Sequence, residues 1–238
     1  MMKNCYIKNS FYFTYVFLIT TGTITFIEAL RNSTPQIRHV MNIETCISIV
    51  AGYFYGLFIK EIETAEKNAT LKTKSTNEHS SPEESILPIK KINDMRYSDW
   101  TITTPLMILV LSLVLSYENK IAIKLSSLFI LLVFDLLMLL SGYLGEVGKI
   151  SRASGTIAGF VGFFLLFGTL WKTYMSGSKV TNQSKIVFGI YFVLWAVYGV
   201  AYQADEYTKM LTYNVLDLFA KAFVGIFFWL YLAKIIKQ

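Results

Sequence analysis

A bundle of seven transmembrane helices, all α, is the fold class this sequence predicts, and three observations predict it. The 238 residues are 54% hydrophobic and 16% aromatic, with only four prolines, a composition beyond the usual soluble domain. Stretches of about 20 nearly uncharged residues recur along the chain, each long enough to cross a bilayer. The connections between them are short, with one exception. The whole chain, 1–238, is therefore read as one seven-helix domain with no attached enzymatic domain, an integral multi-pass protein of a plasma or intracellular membrane that is not an enzyme.

The first span, 9–30, carries "FYFTYVFLITTGTITFIEAL" and lacks a small-residue cleavage site after a short apolar core, so it is expected to be retained rather than removed. The second, 41–60, carries "MNIETCISIVAGYFYGLFIK". Residues 61–95 follow, polar, mixed in charge and poor in aromatics, and are expected to form a long loop. Asn68-Ala69-Thr70 in it is a glycosylation sequon, usable only on a lumenal or external face. The remaining spans are 96–117, 121–143, 153–174, 186–204 and 211–233. Cys5 and Cys46 lie far apart and suggest neither a disulfide framework nor a metal site.

Charge in the connections orients the bundle. One side holds Arg31, Arg38, Lys120, Lys124, Lys172, Lys179, Lys185, Lys234 and Lys237 against Glu118 alone, while the other is close to neutral. The positive-inside rule then places the N-terminus outside and the C-terminus in the cytoplasm, with 61–95 extracellular. The net charge of +6 thus reflects topology, and no nucleic-acid partner is expected; the partners are membrane lipids.

Few ionisable residues fall inside the spans: Glu28, Glu44, Arg96, Asp99, Asp135, Asp217 and Lys221. Charge in hydrocarbon is costly, so each is a functional candidate. Asp217 and Lys221, four apart, share one helix face; Arg96 and Asp99, three apart, share another, with Thr103 a turn further. Two helices therefore each offer a carboxylate to one buried cation. A desolvated lysine amine among aromatics attacks aldehydes to form a Schiff base, which needs a counterion when protonated. The alternative is a plain Lys–Asp pair joining two helices.

The third span decides between them. Its "RYSDWTITTPL" resembles the retinal-pocket helix of microbial rhodopsins, matching an Arg-Tyr-x-Asp-Trp-x-x-Thr-x-Pro pattern at Arg96, Tyr97, Asp99, Trp100, Thr103 and Pro105. The seventh span matches Asp-x-x-x-Lys at Asp217 and Lys221. The sixth matches at Trp195 and Tyr198, with Gly199 in place of the usual proline, and the fourth at Asp135, Met138 and Gly142. The resemblance implies all-trans retinal bound to Lys221 as a protonated Schiff base. It implies Asp99 as primary counterion and proton acceptor, Asp217 as second counterion, Arg96 bracing both, and Thr103 hydrogen-bonding Asp99. Tyr97, Trp100, Pro105, Met107, Asp135, Met138, Gly142, Trp195 and Tyr198 would line the chromophore site, with Met107 favouring green absorption. The fifth span lacks the tryptophan often found near the ionone ring, leaving Gly159 or Gly162 to line that end.

Eleven residues after Asp99, where proton pumps of this family usually carry a carboxylate, stands Val110, which cannot donate a proton. Sodium- and chloride-pump triplets are also missing. Meanwhile Glu44, Ser48, Gly52 and Tyr55 form one stripe of the second span, and Thr14, Thr21, Thr25 and Glu28 one stripe of the first. These resemble the wetted seam of channelrhodopsins, where polar and acidic linings pass cations. "TITFIEAL" and "NIETCISIVAGYFYG" further resemble the rhodopsins of giant algal viruses, of whose two groups the first is associated with light-gated cation conduction. That resemblance implies an ion pathway at Ser10, Glu44 and Asn214, with Glu28 and Ser48 along the stripes. The expected function is a light-gated cation channel passing cations that include protons; the alternatives are a weak outward proton pump and a sensory rhodopsin. A homo-oligomer is expected, as trimers and pentamers are usual in the family.

Overall fold

The computed structural model describes residues 2–75, 87–177 and 180–232. They form seven helices long and apolar enough to span a membrane, with no strands among the described residues. These are α1 (Met2–Arg31), α2 (Pro35–Ser75), α3 (Ile89–Asn119), α4 (Leu125–Glu146), α5 (Arg152–Met175), α6 (Asn182–Ala201) and α7 (Glu206–Leu232). Large apolar side chains such as Phe13, Leu30, Phe129, Leu136, Ile157, Phe164 and Val200 stay exposed on the outer surface, as lipid-facing residues do.

The expected loop over 61–95 needs correcting. α2 continues to Ser75, and α3 begins at Ile89, leaving only the residues between to connect them. The segment after Lys60, "EIETAEKNATLKTKS", is polar but built of strong helix formers, so its polarity misled where its propensity did not. Tertiary pairs then hold it: Glu66 to Lys8 at 2.6 Å, Glu63 to the Tyr12 hydroxyl at 2.5 Å and Glu61 to Lys91 at 2.8 Å. Asn68 therefore sits on a helix, where Thr70 donates to the Glu66 carbonyl. Residues 76–86, with Lys179, Lys234 and Lys237 of the charge argument, lie outside the described residues.

Local chemistry sets the other ends. Ser151 and Thr181 cap α5 and α6 through hydrogen bonds from Ser154 N and Ser184 N. Asp205 caps α7 by accepting from the amides of Tyr207 and Thr208. Pro105 inside α3 removes the donor that would close onto the Thr101 carbonyl. Two helices contain a wide π-type turn: Trp171–Met175 at the end of α5, and Leu218–Phe223 in the middle of α7. Such turns are rare and cluster at functional positions. The α7 turn carries Lys221, and α1 supports that stretch from outside: Thr14 Oγ1 donates to the Asn214 carbonyl and Thr21 Oγ1 to the Ala222 carbonyl. Cys5 and Cys46 are both exposed and unbonded to each other.

Candidate chromophore site and ion seam

Between α3, α4, α5, α6 and α7 lies a cavity of about 780 Å³, counting all space free of atoms out to its mouth. Its walls are apolar, and Lys221 and Asp217 stand at one end. Of the residues expected there, Tyr97, Trp100, Met107, Met138, Gly142, Trp195 and Tyr198 line it. Pro105 and Asp135 do not. Asp135 is buried beside the wall, where Thr104 Oγ1 donates to its Oδ2 at 2.7 Å, and Thr104 is the lining residue. Gly159 lines the far end, while Gly162 packs on Met138 of α4 instead.

Rigid rings build the walls. Trp100 meets Tyr198 and Tyr213 edge-on, with centroids 5.6 and 5.1 Å apart, and Trp195 packs on Phe167 at 5.8 Å. Glycine makes room in two places. A Cβ on Gly142 would lie 2.7 Å from the Tyr97 hydroxyl, and one on Gly199 2.8 Å from the Phe160 ring. The glycine that replaces the family's usual proline in α6 thus lets Phe160 of α5 close against that helix.

At the polar end four buried charges meet. Lys221 Nζ lies 2.7 Å from Asp99 Oδ2 and 3.4 Å from Asp217 Oδ1. Asp217 also accepts from Tyr198 at 2.6 Å, Tyr55 at 2.8 Å and Arg96 at 3.3 Å. Arg96 donates further to Asn214 Oδ1 at 2.8 Å, and the Phe58, Tyr213, Phe11 and Tyr55 rings surround its guanidinium at 5.1–5.8 Å. Two cations and two anions make the group neutral, the condition for keeping charges in such a place. Asp99 Oδ1 has no hydrogen-bond partner.

Two expectations change here. Thr103 does not reach the Asp99 carboxylate; its hydroxyl donates to the Asp99 main-chain carbonyl at 2.9 Å, the back-bonding open to any helical threonine. Arg96 braces Asp217 rather than Asp99, because its hydrogen bonds run toward α2 and α7. Tyr55 and Tyr213 complete the group. Tyr55 had a sequence signal as the end of the Glu44 stripe; Tyr213 had only its place four residues before Asp217.

The pathway residues occupy one seam among α1, α2 and α7. Asn214 Nδ2 donates to Ser10 Oγ at 2.8 Å, continuing the chain from Arg96 towards the start of α1. On the other side of Lys221 lie Thr21, Thr25, Thr45, Ser48 and Glu44, all buried. Thr25 and Thr45 share a hydrogen bond of 2.9 Å. Glu44 is 1% exposed and forms no ion pair; its Oε1 and the Ser48 hydroxyl have no partner, and its Oε2 lies against Gly225. Glu28, half-buried, accepts from the Trp229 indole and from Asn32. Val110 sits buried in the apolar core, so the structure holds no carboxylate at that place.

The chain is similar to known proteins. The model of the bacteriorhodopsin-like protein family matches residues 7–235. Opsin-1 of Neurospora crassa is 30% identical over 156 residues, 58% of this chain and 48% of that protein. A green-light absorbing proteorhodopsin of Gamma-proteobacterium EBAC31A08 is 31% identical over 149 residues, 56% of this chain and 59% of that protein. The matched regions thus span about half the length of these curated relatives. Among solved structures, that of viral rhodopsin OLPVRII superposes with a TM-score of 0.80 at 44% identity, covering 96% of this chain and 98% of that one. Xanthorhodopsin, 20% identical with a TM-score of 0.71 over 95% of this chain and 92% of that one, shares the fold. The chain belongs to the bacteriorhodopsin-like family, multi-pass membrane proteins that bind retinal covalently through a Schiff base to a lysine.

Proposed function

We propose that Lys221 is the lysine that carries retinal, and that the protein is a light-gated cation channel whose ions pass along the α1/α2/α7 seam. The group fits the residues present: a slot walled by Trp100, Trp195 and Tyr198 ends on one buried amine with a carboxylate 2.7 Å away. Bound there, retinal supplies the light absorption and the change of shape that follows it. The protein's own groups do the rest. Asp99 Oδ2 accepts the proton held at Lys221 Nζ. Asp217, held by two tyrosines and Arg96, stays fixed as the permanent anion. Neutralising Lys221 takes one cation from Asp217, leaves Arg96 as its remaining partner and so shifts Arg96, and with it Asn214 and Ser10.

One observation carries the channel reading: polar and acidic groups line the same seam on both sides of Lys221, from Ser10 and Asn214 to Glu44 and Glu28. Hydrated acidic linings pass cations. The positive-inside rule puts Ser10 towards the exterior. Whole-cell current under light tests the reading: a current that reverses with the cation gradient supports it, and one of fixed sign at every voltage overturns it. A weak outward proton pump is the second reading, favoured by Glu44 itself. A buried carboxyl with one partnerless oxygen, in the half that lacks a donor at Val110, is suited to return a proton towards Lys221. A homo-oligomer is proposed for either, and cross-linking in native membrane tests it.

A further inference from the structure

A second group of charges lies one turn beyond Arg96, its Lys209 buried, its Glu146 nearly so, and its Arg152 and Glu206 about a third exposed. Lys209, 1% exposed, donates to both oxygens of Glu146 at 2.8 and 3.0 Å and lies 2.9–3.0 Å from both oxygens of Glu206. Arg152 reaches Glu206 at 2.5 Å, and Asn93 donates to Glu146 at 2.6 Å and Glu206 at 3.3 Å. Tyr202 closes the group, its ring 5.6 Å from the Arg152 guanidinium and 5.9 Å from Lys209 Nζ. Among the described residues, the phenols of Tyr97 and Tyr213 also face it. Asn93 is three residues before Arg96, and Lys209 begins the series Lys209, Tyr213, Asp217, Lys221 on α7. The clamp therefore spans α3, α4, α5 and α7 on the central route outward from the counterions.

All four carboxylate oxygens are engaged, and two cations balance two anions. A proton arriving here must break a carboxylate contact of Lys209, which at 1% exposure has little access to water in exchange, although Glu206 itself is about a third exposed. The other way out, from Arg96 through Asn214 to Ser10, contains neutral groups that can pass hydrogen bonds along. We propose that the clamp is a proton barrier: the proton delivered to Asp99 after light stays within the Asp99–Asp217–Arg96 group, and whatever leaves goes by Asn214 and Ser10, not by Glu146 and Glu206. This rests on the reading of Asp99 as acceptor. The step is a transfer of one proton between nitrogen and oxygen, with no other reactant.

Lys209→Met tests it. With the lysine gone, Glu146 and Glu206 face each other with only Arg152 to balance them, which favours uptake of a proton by the pair. Infrared titration of the unilluminated protein, with or without retinal, is expected to show a carboxylic band in the variant that titrates across the neutral range, absent from the wild type and from Lys209→Arg. On illumination, a pH dye is expected to report proton release that Glu206→Gln leaves unchanged and Asn214→Leu slows at least several-fold. Lys209→Met is expected to add a prompt release of its own. A neutral-range carboxylic band in the wild type that Glu206→Gln removes would overturn the barrier, as would release lost in Glu206→Gln and intact in Asn214→Leu. If no Asp99 carboxylic band rises in light, the acceptor reading fails by itself, and the dark titration still judges the clamp.

Discussion

Replacing Glu44 by leucine should make the protein more stable while, on the proposed function, cutting its photocurrent. Its carboxyl is buried, forms no ion pair, and leaves Oε1 without a hydrogen bond. An unsatisfied buried polar atom costs about 1–3 kcal/mol. Leucine fills a similar volume and is slightly shorter, so it does not press harder on Gly225, where a Cβ would lie only 3.1 Å from Glu44 Oε2. Relief of that cost should raise the midpoint of thermal bleaching by roughly 2–12 °C for a chain of this size. Glu44→Gln keeps the shape and an unsatisfied amide, so it should gain nothing in stability. Both substitutions should cut the photocurrent, or slow return of the proton to Lys221, by at least tenfold, since neither side chain ionises. The paired measurement is bleaching temperature and light-evoked current on the same membranes. A Glu44→Leu protein less stable than wild type, or one with normal photocurrent, would refute the reasoning.

Four further outcomes are expected. Lys221→Ala should have no visible absorption band, and a coloured variant would remove the basis of the proposed function. Gly142→Ala must displace the Tyr97 hydroxyl, at about 1–3 kcal/mol of overpacking, and shift the absorption maximum, while Gly168→Ala, with open space around it, should be neutral or stabilising by about 0.5–1 kcal/mol; spectra and bleaching curves check both. Thr103→Val should leave the absorption maximum nearly unchanged, because the hydroxyl serves the main chain; a large shift would restore the carboxylate contact. Asp205 is a carboxylate held below its ordinary value by hydrogen bonds from Thr208 and Tyr207. Its capping contribution is thus present above the unfolded value of 3.8 and lost as pH falls through the lower folded value. Asp205→Ala should therefore lower thermal stability at neutral pH and converge with wild type in strong acid.

The buried four-charge group was readable because a charge inside a span needs a reason, and Lys221, Arg96, Asp99 and Asp217 asked for one another. The helix count followed equally directly from hydropathy. Where the reading failed, charge was ordinary. Lys209, Glu146 and Glu206 stand at span ends, where ionisable residues excite no suspicion, and only their convergence in space makes a clamp. The extension of α2 failed for a related reason: "EIETAEKNATLKTKS" has helical propensity but no apolar stripe, and its partners Lys8, Tyr12 and Lys91 lie on other helices. Tyr213 was hidden among 15 tyrosines, since nothing local separates a ring that faces Arg96 from a packing ring.

The four-charge group around Lys221 sets how a signal can travel from it. Its sum is zero before the proton moves and zero afterwards, so light changes a dipole across 2.7 Å and not a net charge. A dipole's field dies away faster than a charge's, and distant residues scarcely feel it. In the proposed channel, whatever opens the seam must therefore be pulled through direct contacts, which would make Tyr55 and Asn214 the transmission: each touches Arg96, and between them they reach α1, α2 and α7.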